Sequence, residues 1–391
     1  MKPSPLLLLF FFIFSTLQAQ FTWLSDEAEI SILTVGPGDN LYDAFGHSAI
    51  RVYDPVKGVD LAYNYGVYDF DTPNFYGKFA QGKLNYKLEA WPFDGFLNLY
   101  KRQQRWVKEQ VLNLNKAEKQ SLATLLQQNA LPENKYYRYD FLFDNCATKI
   151  RDILVKVLDT KLKYNDSFDE ANYTFRDLIQ KHVHYNSWSS FGMDVAIGAV
   201  VDQPAISWEY QFLPEYVFKS AEGATIESGE NSVPLVKQTQ VLFESPDREI
   251  KGSLFGPLLF FGILALIILY ITYNDWKHKK RCRRLDAIIF FVTGLIGVIL
   301  ALLWFATVHS TTVYNYNLLW AFPFSILFFI HVSKREPKKW IRRYIIFLLL
   351  CLLLMTFHWI SGVQRFPISA LPLFIALAIR YMYLNSYLKQ A

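Results

Sequence analysis

Phe143-Asp144-Asn145-Cys146-Ala147-Thr148-Lys149-Ile150 is the stretch from which the rest of the chain can be read. Asp144 or Asn145 is a good N-cap, which places Cys146 in the first turn of a helix over Ala147–Leu158. Free N–H groups and the helix dipole favour a thiolate there, and the thiolate is the nucleophilic form. Ile150, Ile153, Leu154, Val157 and Leu158 share a face with Cys146, so the sulfur sits at the edge of a core. The inert alternative is a buried cysteine behaving as a small hydrophobe.

A thiol nucleophile needs a base, and between residues 20 and 250 only His47, His182 and His184 are available. His47 enters the strand-like run Ser48–Tyr53, which is joined to Leu61–Tyr68 through Asp54, Pro55 and Gly58 and reads as a hairpin. A turn near Val56–Lys57 sets His47 opposite about Gly66. Asn64 then lies on the same face, in diagonal range to orient the imidazole. Asp60 and Tyr63 are rivals for that role, because a one-residue slip changes the answer. His182 and His184 read as satisfied surface histidines at a helix end. No Cys/His spacing suits zinc, so no metal site is expected.

The remaining elements of this region point to an α+β domain. Glu29–Val35, Leu84–Leu88, Trp106–Leu114 and Tyr136–Phe143 read as strands. Lys116–Gln128 behind Asn115, Tyr173–His182 and Val195–Val201 read as helices, and Ala221–Ser232 as a turn-rich passage.

Composition divides the chain in two. Of 391 residues, 52% are hydrophobic and 19% charged, yet 32 of the 35 Asp and Glu precede residue 251. Residues 20–250 carry a net charge of about −9, and the rest is basic and apolar. This is a membrane protein with a large polar head, not a nucleic-acid binder. Met1 to Ala19 reads as a signal peptide: Lys2, a nine-residue apolar run from Leu6 to Phe14, and a small residue at the cut.

Beyond the head, residues 251–391 hold apolar segments at about 254–273, 287–308, 317–332, 344–361 and 367–387, each near the roughly 20 residues a span needs. Two loops, Trp276–Arg284 and Ser333–Arg343, hold six basic residues each, while the other two share only Arg365. By the positive-inside rule the basic loops are cytoplasmic, which puts the head outside, as the signal peptide does. The single head cysteine, Cys146, can form no disulfide within its domain.

The order of His on an early strand, a polar residue on the next and Cys opening a later helix resembles the permuted papain-like enzymes, relatives of NlpC/P60 peptidases and lecithin:retinol acyltransferase. More closely, Phe45-Gly46-His47-Ser48, Tyr63-Asn64-Tyr65-Gly66, Tyr139-Asp140-Phe141-Leu142-Phe143-Asp144-Asn145-Cys146 and Gln211-Phe212-Leu213-Pro214 together resemble the Lnb-type periplasmic domain. The resemblance implies a permuted papain-like exported domain on a bundle of about five transmembrane helices in the inner membrane. It also implies N-acylation of a bacterial lipoprotein from a phospholipid donor, without a cofactor, with Cys146 as nucleophile and His47 as base. Asn64 rests on register alone. Trp91, Phe93 and Phe96 are candidates to line an acyl entrance, against plain core packing.

Two other functions compete. A cell-wall peptidase or amidase on the same fold requires a polar cleft, and an apolar slot at the membrane argues against it. A non-enzymatic sensor or assembly protein would leave Cys146 merely buried.

Overall fold

The computed structural model describes residues 23–165, 172–229 and 231–390. The expected signal peptide, 1–19, lies outside the described residues. Strands β1 (Glu29–Val35), β2 (His47–Asp54) and β3 (Val59–Val67) are followed by helix α1 (Phe75–Ala80), β4 (Asn85–Pro92), α2 (Phe93–Arg102) and β5 (Val107–Leu112). Then come α3 (Lys116–Ala130), β6 (Tyr136–Arg138), α4 (Cys146–Leu158), β7 (Leu162–Lys163), α5 (Phe175–Gln180) and α6 (Trp188–Ala196). The head ends with α7 (Ser207–Tyr210), α8 (Pro214–Gly223), β8 (Thr225–Ser228), β9 (Asn231–Pro234) and β10 (Val236–Phe243).

Seven strands form one antiparallel sheet in the order β10-β5-β1-β2-β3-β4-β6. Alternation along the strands serves two cores. Ile30, Ile32, Ile50, Val52, Tyr63 and Leu88 face α3, α4 and α8. Leu33, Val35, Ala49, Ala62 and Val107 face α2 through Phe93, Phe96 and Tyr100. Phe93 and Phe96 are therefore core residues and line no acyl entrance. Asn115 caps α3 as its position predicts, in a reciprocal box with Glu118.

Other expectations change in register or extent. The strand expected over Tyr136–Phe143 stops at Arg138, because the Asp140 carboxylate accepts the N–H groups of Leu142 and Phe143 and turns the chain. The helix placed at Val195–Val201 ends at Ala196, and the turn-rich passage is a β8–β9 hairpin.

Among the described residues, four helices are long and apolar enough to cross a membrane: α9 (Pro257–Lys277), α10 (Arg283–Phe305), α12 (Lys339–Ile360) and α13 (Leu371–Gln390), which continues a short turn from Ile368. The remaining expected segment, 317–332, is no continuous helix. Pro323 divides it into a 3₁₀ turn and the eight-residue α11 (Ser325–Val332). It still runs the depth of the bundle: Asn317 meets Asp194 of the head, and the carbonyl of Val332 meets Arg281 at the far end. Gly294 and Gly297 of α10 admit this irregular backbone, since a Cβ on either would come within 2.1 Å of it.

At the end of the bundle away from the head, Arg380 is fully buried. Its Nε donates to Asp286 and its Nη1 to Asp275, each at 2.8 Å. Removing one member of such a cluster strands the others. Arg380→Met is expected to cost about 3–5 kcal/mol, read as a lower midpoint in thermal unfolding of the detergent-solubilised protein. Adding Asp275→Asn and Asp286→Asn should recover most of the loss.

Candidate active site

The β2–β3 hairpin pairs Ile50 with Tyr63 and Asp54 with Val59, and that register carried forward sets His47 opposite Gly66. His47 and Asn64 then share a face, and Nε2 of His47 lies 2.6 Å from Oδ1 of Asn64. An amide oxygen can only accept, so Nε2 carries the proton and Nδ1 is the ring nitrogen left for a thiol. Of the two alternatives, Asp60 is held by Arg51 at 2.7 Å, and Tyr63 lies on the opposite face of the sheet.

Cys146 reaches the same place from α4. A Cβ built on Gly66 would lie 3.7 Å from Cβ of Cys146 and 4.0 Å from Cε1 of His47. Gly66 has φ of +91° beside a bulge in the β3–β4 pairing, a backbone conformation that side chains resist.

Asn145 fixes the approach. Its Oδ1 accepts the N–H groups of Ala147 (2.8 Å) and Thr148 (3.0 Å), capping α4. Its Nδ2 donates to the carbonyls of Phe141 (2.7 Å) and Phe212 (2.8 Å). All four hydrogen-bonding positions of the amide are used. An aspartate would cap equally well but has no donors for the two carbonyls. Gln211-Phe212-Leu213-Pro214 thus has a structural role, holding the residue before the cysteine.

The electrostatics favour an ion pair. Burial resists ionisation of Cys146, but the His47 charge, a hydrogen bond to His47 and the N–H groups of Ser48 and Ala147 outweigh it and lower the thiol pKa. Burial likewise opposes the charged form of His47, and the Cys146 charge with hydrogen bonds to Cys146 and Asn64 raises it. The two shifts agree: each partner stabilises the charged form of the other.

A cavity of about 550 Å³ opens onto this pair. Its walls are chiefly apolar: Leu41, Phe45, Phe79, Leu84, Phe141, Met193, Ile197 and Phe212 from the head. Val308, His309, Ser310 and Thr311, from the loop after α10, complete it. His182 and His184 do not line it. His182 packs against Phe45 and His184 stacks on Tyr185. The buried Tyr137 hydroxyl stands 4.0 Å from the position of a Gly66 Cβ and has no hydrogen-bond partner among the described residues. Neither the place of Tyr137 at the site nor that of the 308–311 loop can be read from the sequence, because no periodicity links them to Cys146.

Asp194 and Asp202, without a role in the sequence, clamp the buried Arg176 at 2.7 and 2.8 Å. They belong to the joint with the membrane helices. Nδ2 of Asn315 donates to the carbonyls of Val195 and Ala196, Nδ2 of Asn317 donates to that of Asp194, and Arg365 pairs with Asp177.

Two outcomes check this geometry. Alkylation of Cys146 by iodoacetamide, followed by peptide mass against pH, should have its midpoint below the ordinary thiol pKa of about 8.5. A group with a lowered pKa keeps its charge as pH falls, so the reactive window extends downward, and His47→Ala should move the midpoint back up. Asn145→Asp should destabilise the head by about 1–3 kcal/mol and slow that alkylation, despite preserving the cap.

The Lnb N-terminal periplasmic domain matches residues 18–181, and the Lnb transmembrane domain matches residues 249–391. No match is found among curated proteins or solved structures. With both domains of one family present in order, a periplasmic head and a multi-span membrane part, the chain belongs to the Lnb family.

Proposed function

We propose that the protein is a lipoprotein N-acyltransferase of the inner membrane, with Cys146 as nucleophile, His47 as base and Asn64 orienting the imidazole. One observation carries the reading: the cavity over Cys146 is apolar, and part of its wall comes from the membrane domain. A phospholipid chain suits such a space, whereas the polar cleft that a cell-wall peptide needs is missing from it. Its volume falls within the range of small-molecule sites, about 300–1,000 Å³.

In the first step the Cys146 thiolate attacks the carbonyl carbon of a phospholipid acyl ester. The oxyanion forms beside the N–H of Cys146 at the start of α4, with the Tyr137 hydroxyl as a second donor. Collapse breaks the ester C–O bond. The departing lysophospholipid oxygen takes the proton from the His47 imidazolium, leaving a thioester on Cys146.

In the second step the free α-amine of a diacylglyceryl-modified N-terminal cysteine attacks that thioester. Neutral His47 takes the amine proton, the C–S bond breaks, and the amide leaves with the thiolate–imidazolium pair restored. A thioester is more readily opened by an amine than an ester is, so the sulfur makes the two-step route worthwhile.

The test is the intact mass of one lipoprotein N-terminal peptide from cells carrying the wild type, Cys146→Ala or no copy. An additional acyl chain should appear with the wild type alone. Equal masses in all three would overturn lipoprotein acylation as the function. Asn64→Ala should retain product at a rate lowered by about 10²–10³, since proton transfer by a positioned base contributes roughly 10²–10⁴ and Asn64 only orients it.

A further inference from the structure

The region between β3 and β4 carries aromatic rings that the head does not cover. Tyr76 is 80% and Phe79 53% exposed, and Phe70 is exposed beside them. The rings contact one another: Phe70 lies 4.9 Å from Phe75, and Phe75 stacks on Phe79. A water-facing cluster of this kind marks an interaction surface.

Its place on the molecule identifies the partner. The carbonyl of Gln81, just after α1, accepts the N–H of Val308 at 3.0 Å, and Nε2 of His309 donates to that of Ala80 at 3.2 Å. Val308 stands three residues beyond Phe305, the last residue of α10, so at most about 10 Å separates them. The outer face of α10 there exposes Ile299, Leu302 and Phe305. The headgroup zone adds roughly 5–7 Å on each side of the hydrocarbon core. The end of α1 therefore stands at bilayer-surface level, where tyrosine is favoured. The charges of this segment cancel, Lys78 and Lys83 against Asp69 and Asp71, so the aromatic rings are what suits it to the bilayer surface.

Phe79 also lines the cavity over Cys146, with Leu41, Tyr42 and Tyr68 near it. The patch is thus continuous with the site on one side and with the lipid-facing surface of α10 on the other.

We propose that residues 69–83, carrying α1, sit in the head-side leaflet of the bilayer and form the doorway through which an acyl chain passes sideways to Cys146. The doorway role rests on the acyl-transfer reading; the membrane seating does not.

Photo-crosslinking of the full-length Cys146→Ala protein separates them. p-Benzoylphenylalanine is placed at position 76, 79 or 56, in nanodiscs of phosphatidylethanolamine and phosphatidylglycerol. Val56 is 60% exposed in the β2–β3 turn, at the other end of the hairpin from His47. Adducts with the mass of a phospholipid are expected at 76 and 79 and not at 56. No lipid adduct at 76 and 79, an equal yield at all three positions, or adducts to protein alone would overturn the seating. In the active chain, Phe70→Ser with Tyr76→Ser, neither of which lines the cavity, should lower transfer from bilayer phospholipid by about tenfold, because two membrane-anchoring rings are lost. Alkylation of Cys146 should stay unchanged, which shows an intact site. Unchanged transfer would remove the doorway role, and transfer absent already in the parent chain would instead refute the function.

Discussion

The pairing of Cys146 with His47 is the interaction around which the head is organised. A buried thiolate is unfavourable unless a positive charge and hydrogen-bond donors meet it. Here they come from three elements. The β2 strand brings His47 and the N–H of Ser48, α4 brings its first-turn N–H groups, and β3 brings Asn64 to hold the far ring nitrogen. None of these can move independently, because β2 and β3 are one hairpin and Asn145 ties the start of α4 to Phe141 and Phe212. The pocket can therefore be apolar without losing its reactive group. Apolar walls are what a lipid substrate needs, and in most surroundings they would suppress ionisation of the cysteine.

The second constraint is height above the bilayer. In the proposed acyl transfer the lipid carbonyl lies near the membrane surface, so a rigid head would have to present its thiol at a fixed level. Asn315 and Asn317 bind backbone carbonyls of residues 194–196, Gly198 lies against the 313–315 backbone, and Trp188 packs on Phe260 and Phe261 of α9. The Arg176 clamp with Asp194 and Asp202 stiffens the head side of this joint. One short anchor helix could tether such a domain but could not fix its orientation, which gives the multi-span floor a mechanical purpose.

Much of this was legible from local chemistry. The turn around Gly58 sets the β2–β3 register, and register alone puts Asn64 beside His47. The cap at Asn145 places Cys146, and the basic loops orient the bundle. What escaped has equally physical causes. Strand β10 carries exposed polar residues and no clear alternation, because it closes an edge of the sheet on β5. The rings of Phe93 and Phe96 give no sign of which side of the sheet they enter until α2 is recognised as a helix. Pro323 interrupts a segment whose hydropathy alone reads as a span. The 308–311 wall of the cavity lies about 160 residues from Cys146 in sequence, and no pattern within either segment signals the contact. Long-range packing of this kind is a property of the folded chain.

Trapping a thioester on Cys146 tests the proposed mechanism at its first step. The purified protein would be incubated with phospholipid and no lipoprotein acceptor, then examined by intact mass and peptide mapping. An added acyl chain is expected on the peptide containing Cys146, removed by neutral hydroxylamine, absent from Cys146→Ala and strongly reduced in His47→Ala. An unmodified Cys146 in protein that is turning over lipoprotein, or an acyl chain carried on a different residue, would contradict it.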